Sequence, residues 1–240
     1  LNTAVVTTNT FNGGSGGTTM GVYIYGSVAK VMNSTINAGN ATNNYGVYAR
    51  STTFCTVSGN TITGGAGTNS YGAYSTSTGC TFSGNTMTGG TGATQSYGMY
   101  AVGGAAPFVI VSSNLIKGGS APTSYGFYVI TPATVKKNRI EGGTGSTVAY
   151  GLYNNGYASN INNNQIYGGT NSNSTYGIYL LNVNMGPIRN NTVNGGSAGS
   201  GAGDASIALY GGGGQQDAAI QNNIFFTTSG TDRYCIKGAG

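Results

Sequence analysis

Four carboxylates, three cysteines and no histidine are a sparse set for acid–base, metal or nucleophilic chemistry in a chain of 240 residues. The carboxylates are Glu141, Asp204, Asp217 and Asp232. Glycoside hydrolysis needs two carboxyl groups roughly 5–9.5 Å apart, and calcium needs several oxygens around it. Glu141 stands two residues from Arg139, with Lys117 one repeat earlier, which reads as a surface ion pair. Asp204 and Asp232 occupy equivalent turns, where Asp ordinarily caps backbone N–H groups. With no histidine, the acid–base set is nearly empty. The expectation is no enzyme, no metal and no cofactor.

Cys55 and Cys80 each precede an apolar residue by two positions, Val57 and Phe82. Their column otherwise holds small residues: Ala4, Ala29, Val109, Ala133, Ser159, Gly186 and Ala218. Buried thiols acting as small hydrophobes are the favoured reading. A Cys55–Cys80 bridge is the alternative, since neighbouring strands sit near the lower end of disulfide reach. Cys235 stands apart, and no C-x-x-C metal signal exists.

Tyrosine and asparagine carry the stronger pattern. Y-G-x-Y recurs at Tyr45, Tyr71, Tyr97, Tyr125, Tyr150 and Tyr176, with degenerate copies starting at Met20, Ile207 and Tyr234. The starts are 25, 26, 26, 28, 25, 26, 31 and 27 residues apart. A second phrase keeps the same period: apolar, two residues, Asn, one residue, apolar, often followed by Gly-Gly. Its Asn column reads Asn9, Ser34, Asn60, Asn85, Asn114, Asn138, Asn164, Asn191 and Asn223. One flanking apolar column runs from Val6 through Val57 and Val135 to Ile220, the other from Phe11 through Ile62 and Ile140 to Phe225.

Such a period demands a solenoid. Apolar residues two apart belong to strands, whose alternate side chains point to one side. No segment keeps helical spacing over a useful length. A single coil cannot bury its interior, so coils must stack at roughly 4.8 Å and line up equivalent residues in ladders. An inward Asn ladder at a sharp turn lets each amide bond the next, and Asn tolerates left-handed backbone there. The third residue of Y-G-x-Y is apolar throughout and must point inward. The fourth, Tyr23, Tyr48, Tyr74, Tyr100, Tyr128, Tyr153, Tyr179 and Tyr210, must then point outward as one exposed ladder.

The apolar-x-x-Asn-x-apolar phrase, in coils of 24 or more residues, resembles the right-handed parallel β-helix repeat family, the superfold of pectate lyases and many bacterial surface proteins. The resemblance covers essentially the whole chain and implies an all-β, single-stranded solenoid of about nine coils over residues 1–240. Loop insertions fall near 101–107 and 195–206, the second expected to be mobile from its Gly, Ser and Ala content. Family members that cleave polysaccharides gather carboxylates on an outer face; here tyrosine occupies those outward positions.

Only 5% of residues are charged, against roughly 25% in ordinary soluble proteins. The net charge is +5, but the basic residues are dispersed except for Lys136, Lys137 and Arg139, which argues against nucleic acid. No apolar run is long enough to span a membrane as a helix. Asn33-Ser34-Thr35 and three further sequons are expected by composition alone. Thr61-x-Thr63 and Thr86-x-Thr88 are outward Thr pairs on adjacent coils that resemble ice-binding β-solenoids, but Leu115-x-Lys117, Arg139-x-Glu141 and Gln165-x-Tyr167 break the array.

The chain starts at Leu1, so either a leader has been removed or this is a segment of something longer. No capping helix is visible at either end, and both ends repeat one pattern, so a head-to-tail joint would propagate. Low charge and uncharged polar surface point to an extracellular or cell-surface structural protein that self-associates, head to tail or laterally. The alternative is a carbohydrate-binding or adhesive module, with the Tyr ladder meeting sugars. That alternative includes tail-spike-like proteins, and a polysaccharide lyase or hydrolase is the third reading. The ladder itself is read first as structural, its rings stabilising neighbouring coils.

Overall fold

The computed structural model describes residues 4–26, 28–50, 54–77, 79–103, 108–157, 159–181, 186–212 and 219–238. Three nine-stranded parallel sheets form a right-handed solenoid, each coil giving one strand to each sheet. Sheet A runs from Ala4–Thr7 through Cys55–Ser58 and Val109–Ser112 to Ile220–Gln221. Sheet B runs from Thr10–Asn12 through Thr61–Thr63 and Arg139–Glu141 to Ile224–Phe226. Sheet C holds the long strands, from Ser15–Tyr25 through Thr91–Val102 to Asp232–Gly238. A small two-stranded pair, Thr144–Gly145 with Thr170–Asn171, extends one edge. No helix among the described residues is long and apolar enough to cross a membrane.

Register follows the sequence columns. Val57 pairs with Phe82 and Val31, Ile62 with Met87 and Ile36, and Val47 with Ala73 and Val22. Val57, Ile62 and Val47 are fully buried, so the three apolar columns form one continuous interior. Burying each such side chain contributes about 1.5–3 kcal/mol. In the last described coil the same columns are less covered, with Ile220 39% and Ile236 58% exposed.

The corner between sheets A and B is the Asn ladder. Asn114 shows its unit. Its Oδ1 accepts from the Asn85 backbone N–H at 2.9 Å and from Asn85 Nδ2 at 3.0 Å. Its own Nδ2 donates to the Phe82 carbonyl at 2.9 Å and to Asn138 Oδ1 at 3.0 Å. The pattern repeats from Asn60 to Asn223, and Ser34 joins by donating its N–H to Asn60 Oδ1 at 2.9 Å. Every amide therefore points the same way along the axis. Asn9 lies exposed at the end of the row and bonds its Nδ2 to the Thr7 carbonyl instead.

The left-handed residue is not the ladder Asn, as the sequence suggested, but the one before it. Thr8, Asn33, Gly59, Gly84, Ser113, Lys137, Asn163, Asn190 and Asn222 all have φ between +50° and +65°. The Asn itself stays free to aim its side chain inward because its predecessor makes the turn. The next corner, between sheets B and C, uses Gly-Gly. A Cβ on Gly142 would lie 2.2 Å from the Gly168 carbonyl oxygen of the next coil.

Cys55 and Cys80 pair in register and are bonded to each other, with Cα atoms 4.5 Å apart. This corrects the favoured free-thiol reading: a column of small inward side chains in adjacent strands brings the Cα atoms within disulfide reach. Cys235 is free and exposed. Residues 104–107 of the first insertion lie outside the described residues. The second insertion is a loop pinned by Ser197, which bridges to Thr170 and to Ser229.

Candidate functional site

Sheet C presents two tyrosine rows, where strict alternation predicts one. In Y-G-x-Y the first and third residues of a regular strand face the same side. Here Gly and the third residue are both buried, as in Gly46 and Val47, so the two flanking tyrosines both emerge outward. Gly permits this because the backbone presses against its neighbours: a Cβ on Gly72 would meet the Gly98 carbonyl oxygen at 2.5 Å and the Thr88 carbonyl oxygen at 2.8 Å. Glycine at the second position was the available signal for this break.

The expected outer row, Tyr23 to Tyr210, is thus joined by an inner row: Tyr45, Tyr71, Tyr97, Tyr125, Tyr150 and Tyr176. Inner rings stack face to face between coils, Tyr71 on Tyr97 at 4.8 Å and 4°, Tyr97 on Tyr125 at 4.8 Å and 3°. Outer rings do the same, Tyr74 on Tyr100 at 5.0 Å and 3°, Tyr100 on Tyr128 at 4.9 Å and 3°. Within one coil the two rings meet edge to face, as Tyr97 and Tyr100 do at 5.2 Å and 88°. Each such pair adds about 0.5–1.5 kcal/mol beyond area burial. The order loosens at the first coils, where Tyr45 and Tyr48 lie at 26°.

The outer row is half-buried rather than exposed, because stacking covers ring faces and leaves edges and hydroxyls to solvent. Tyr23, at the end of the row, is the exception at 46% exposure. Inner Tyr97 and Tyr125 are buried. The Tyr97 hydroxyl donates to Gln95 Oε1 at 2.7 Å.

Burial sets the acid–base behaviour. Desolvation, and then repulsion from neighbouring phenolates, raises Tyr71, Tyr97, Tyr125 and Tyr150 far above the ordinary phenol range. The half-buried Tyr74 and Tyr153 are pushed up to about 12 by the same causes. These raised phenols stay neutral at physiological pH.

Beneath it runs a polar column that the sequence reading missed. The residue before Y-G-x-Y is Ser, Thr or Asn in most coils and is buried: Asn44, Ser70, Ser96, Ser124, Thr175 and Ser206. Ser70 Oγ donates to the Gly64 carbonyl at 2.8 Å, and Ser96 Oγ to the Gly118 carbonyl at 2.7 Å. These two hydroxyls serve the first carbonyl of the Gly-Gly corner, while the second accepts a backbone N–H from the next coil, as Gly65 does from Thr91 and Gly90 from Ser120.

The carboxylates stay apart. Glu141 lies 2.6 Å from Arg139 Nε and 3.5 Å from Lys117 Nζ. Asp204 Oδ2 accepts the Gly201 N–H at 2.6 Å, a turn cap. Asp232 meets it only through backbone, its N–H donating to the Asp204 carbonyl at 3.0 Å. Asp217 lies outside the described residues. Among the described residues no three of His, Cys, Asp or Glu come together. Sheet B carries a shallow groove of about 340 Å³, lined by Arg139, Gln165, Tyr167, Thr192, Asn194 and Phe226 among others.

No protein-family model matches the chain, and no curated protein matches it. Among solved structures, the crystal structure of Dettilon tailspike protein (gp208) aligns with 94% of this chain at 14% identity and a TM-score of 0.44. The chain spans about half of that tailspike, 48% of its length. A structure of QnrB1, a plasmid-mediated fluoroquinolone resistance protein, aligns with 79% of this chain and 83% of its own, at 11% identity and a TM-score of 0.22.

Proposed function

We propose that the chain forms a structural rod of an extracellular or cell-surface protein, and that it associates with further copies of itself end to end. The observation carrying this reading is that its regular outward chemistry is spent within the molecule. Tyrosine faces cover one another, and the ion pairs close on themselves. A stacked ring has no free face for a sugar ring to lie on, which counts against the tyrosine face as a sugar platform.

Two further observations support the reading. The Cys55–Cys80 bridge suits an oxidising compartment. The Asn ladder is polar along the axis: each Asn donates to the Asn of the following coil, so the surface that continues the stack must present the same columns in the same sense. A second copy of this chain presents them, over the exposed Ile220 and Ile236. Negative-stain electron microscopy of the whole mature protein, with sedimentation at high concentration, tests this. Filaments or a ladder of end-joined species are expected. A stable monomer whose coil ends are covered by other segments of its own chain overturns the assembly.

A second reading, an adhesive carbohydrate module, moves to the sheet B groove. Phe226 there is 42% exposed beside Gln165, Thr192 and Asn194. Glycan-array binding lost in Phe226→Ala would favour it over the rod.

A further inference from the structure

We propose that the outer tyrosine row is a relay, carrying one-electron oxidising equivalents along sheet C and delivering them to the exposed pair Tyr23 and Tyr25. The row is unbroken through eight coils. Its longest step is Tyr23 to Tyr48 at 5.4 Å and its shortest Tyr179 to Tyr210 at 4.6 Å. From Tyr74 to Tyr179 the rings stack with interplanar angles of 3–8°. Toward the first coil the rings stay within 5.4 Å but turn out of parallel, Tyr48 to Tyr74 edge to face at 90° and Tyr23 to Tyr48 tilted at 59°. The parallel overlap from Tyr74 to Tyr179 couples neighbouring π systems. The inner row provides a parallel path at the same spacing, crossing to the outer row edge to face.

The chemistry balances at each step. A one-electron oxidant, such as a ferryl haem or an oxygen-centred radical, takes one electron from a phenol and is itself reduced by one electron. The O–H bond breaks and its proton passes to water, leaving a neutral phenoxyl radical. The neighbouring phenol then gives one electron to that radical and its proton to solvent, while the first oxygen takes a proton back. The hole has moved one coil, and no net charge has changed. Half-exposed outer hydroxyls keep water within reach for this exchange, whereas buried inner ones such as Tyr97 do not. At the first coil Tyr23 stacks on Tyr25 at 6.0 Å and 18°, and the two are 46% and 61% exposed. There a reductant or a second radical in solution can reach the ring. Directly beneath the row lies Met99, between Tyr97 and Tyr100 and fully buried. Its oxidation to sulfoxide would put a polar group into the core, so a relay that drains holes outward spares it.

The molecule supplies its own point of injection. Cys235 is an exposed free thiol in the last strand of sheet C, Asp232–Gly238, which pairs with the strand holding Tyr210. The other two cysteines are bonded to each other. A thiol-reactive ruthenium photo-oxidant is attached at Cys235 and flashed with a sacrificial electron acceptor and a nitroso spin trap, in dilute protein. Trapped tyrosines are then located by peptide mass mapping. Adducts on Tyr23 and Tyr25 are expected, with a yield independent of protein concentration. The double variant Tyr97→Phe/Tyr100→Phe keeps the rings stacked but removes both oxidisable phenols of one coil, and should lose the Tyr23 and Tyr25 adducts while keeping those at Tyr210. Tyr157→Phe, outside both rows, should change nothing. Equal adduct yield at Tyr23 in the double variant, or adducts confined to Tyr210 and Tyr234 in the unsubstituted protein, overturns the relay. Circular dichroism of each variant shows that the solenoid is intact.

Discussion

The Asn corner and the tyrosine face are both ladders of one residue type repeated every coil, yet they are held by opposite physics. The Asn side chains are buried and directional. Each closes bonds to the coil before and the coil after, so one absent amide strands partners on both sides. The tyrosines, buried or half-buried, meet through ring contact rather than directed bonds. Met20 and Ile207 take inner positions, and Lys237 takes an outer one above the Tyr234 ring at 4.4 Å. The corner permits one substitute, Ser34, whose backbone still donates to Asn60. A ladder built from hydrogen bonds in a dry interior tolerates little; a ladder built from contact area tolerates other apolar or long side chains.

The comparison breaks most sharply at Asn114→Leu. That change leaves the Asn85 N–H buried without its acceptor, at about 1–3 kcal/mol, and takes away the side-chain bonds to the Phe82 carbonyl and to Asn85 Nδ2 as well. Chemical denaturation should show a loss of about 3 kcal/mol or more, against about 1 kcal/mol for Tyr128→Leu, which forfeits mainly ring contacts. Equal losses would remove the distinction between the two ladders. Reduction of the Cys55–Cys80 bridge is expected to cost about 2–4 kcal/mol, since it frees a loop of 25 residues. Matched melts with and without a phosphine reductant measure it, and an unchanged melting point would mean the bridge constrains nothing.

Smaller effects sharpen the corner. Lys137 is exposed and held at φ +58°, a conformation that favours Gly. Lys137→Gly should raise stability by up to about 1 kcal/mol by relieving left-handed strain. A loss would mean the Lys side chain contributes more than the strain removes. The smallest contrast lies in the serine column. Ser70→Ala gives up a hydrogen bond to the Gly64 carbonyl and should lose about 1 kcal/mol. Ser124, whose Oγ finds no partner, should be indifferent to Ala or gain from it.

The period, the three sheets and the Asn corner were legible in the sequence because ladders repeat a residue type at every coil. Val57, Ile62 and Asn60 needed only their spacing. What was illegible depended on breaks in the two-residue alternation. The inner tyrosine row was missed because a regular strand would place Tyr71 inward with Ala73; Gly72 undoes that rule by burying two successive positions. The left-handed residue was assigned to the ladder Asn rather than its predecessor, since Asn fills both positions in several coils, as at Asn163-Asn164, Asn190-Asn191 and Asn222-Asn223. The disulfide needed the register distance, which type and spacing alone did not supply.

The tyrosine face is described as stacked, desolvated and internally satisfied, and its ionisation tests that directly. Tyr74 and Tyr153 are raised from 10.0 to about 12 in the folded chain, by burial first. A folded pKa above the unfolded one leaves stability intact below pH 10. Between pH 10 and 12 the unfolded chain loses protons that the fold retains, so stability falls there. An ultraviolet titration of the 18 tyrosines, followed together with circular dichroism, should show the buried and half-buried phenols of the face resisting ionisation beyond the ordinary phenol range. They should ionise only at higher pH, in a steep step coincident with loss of the β signal. A single smooth transition near pH 10 with the β signal unchanged would contradict the stacked face.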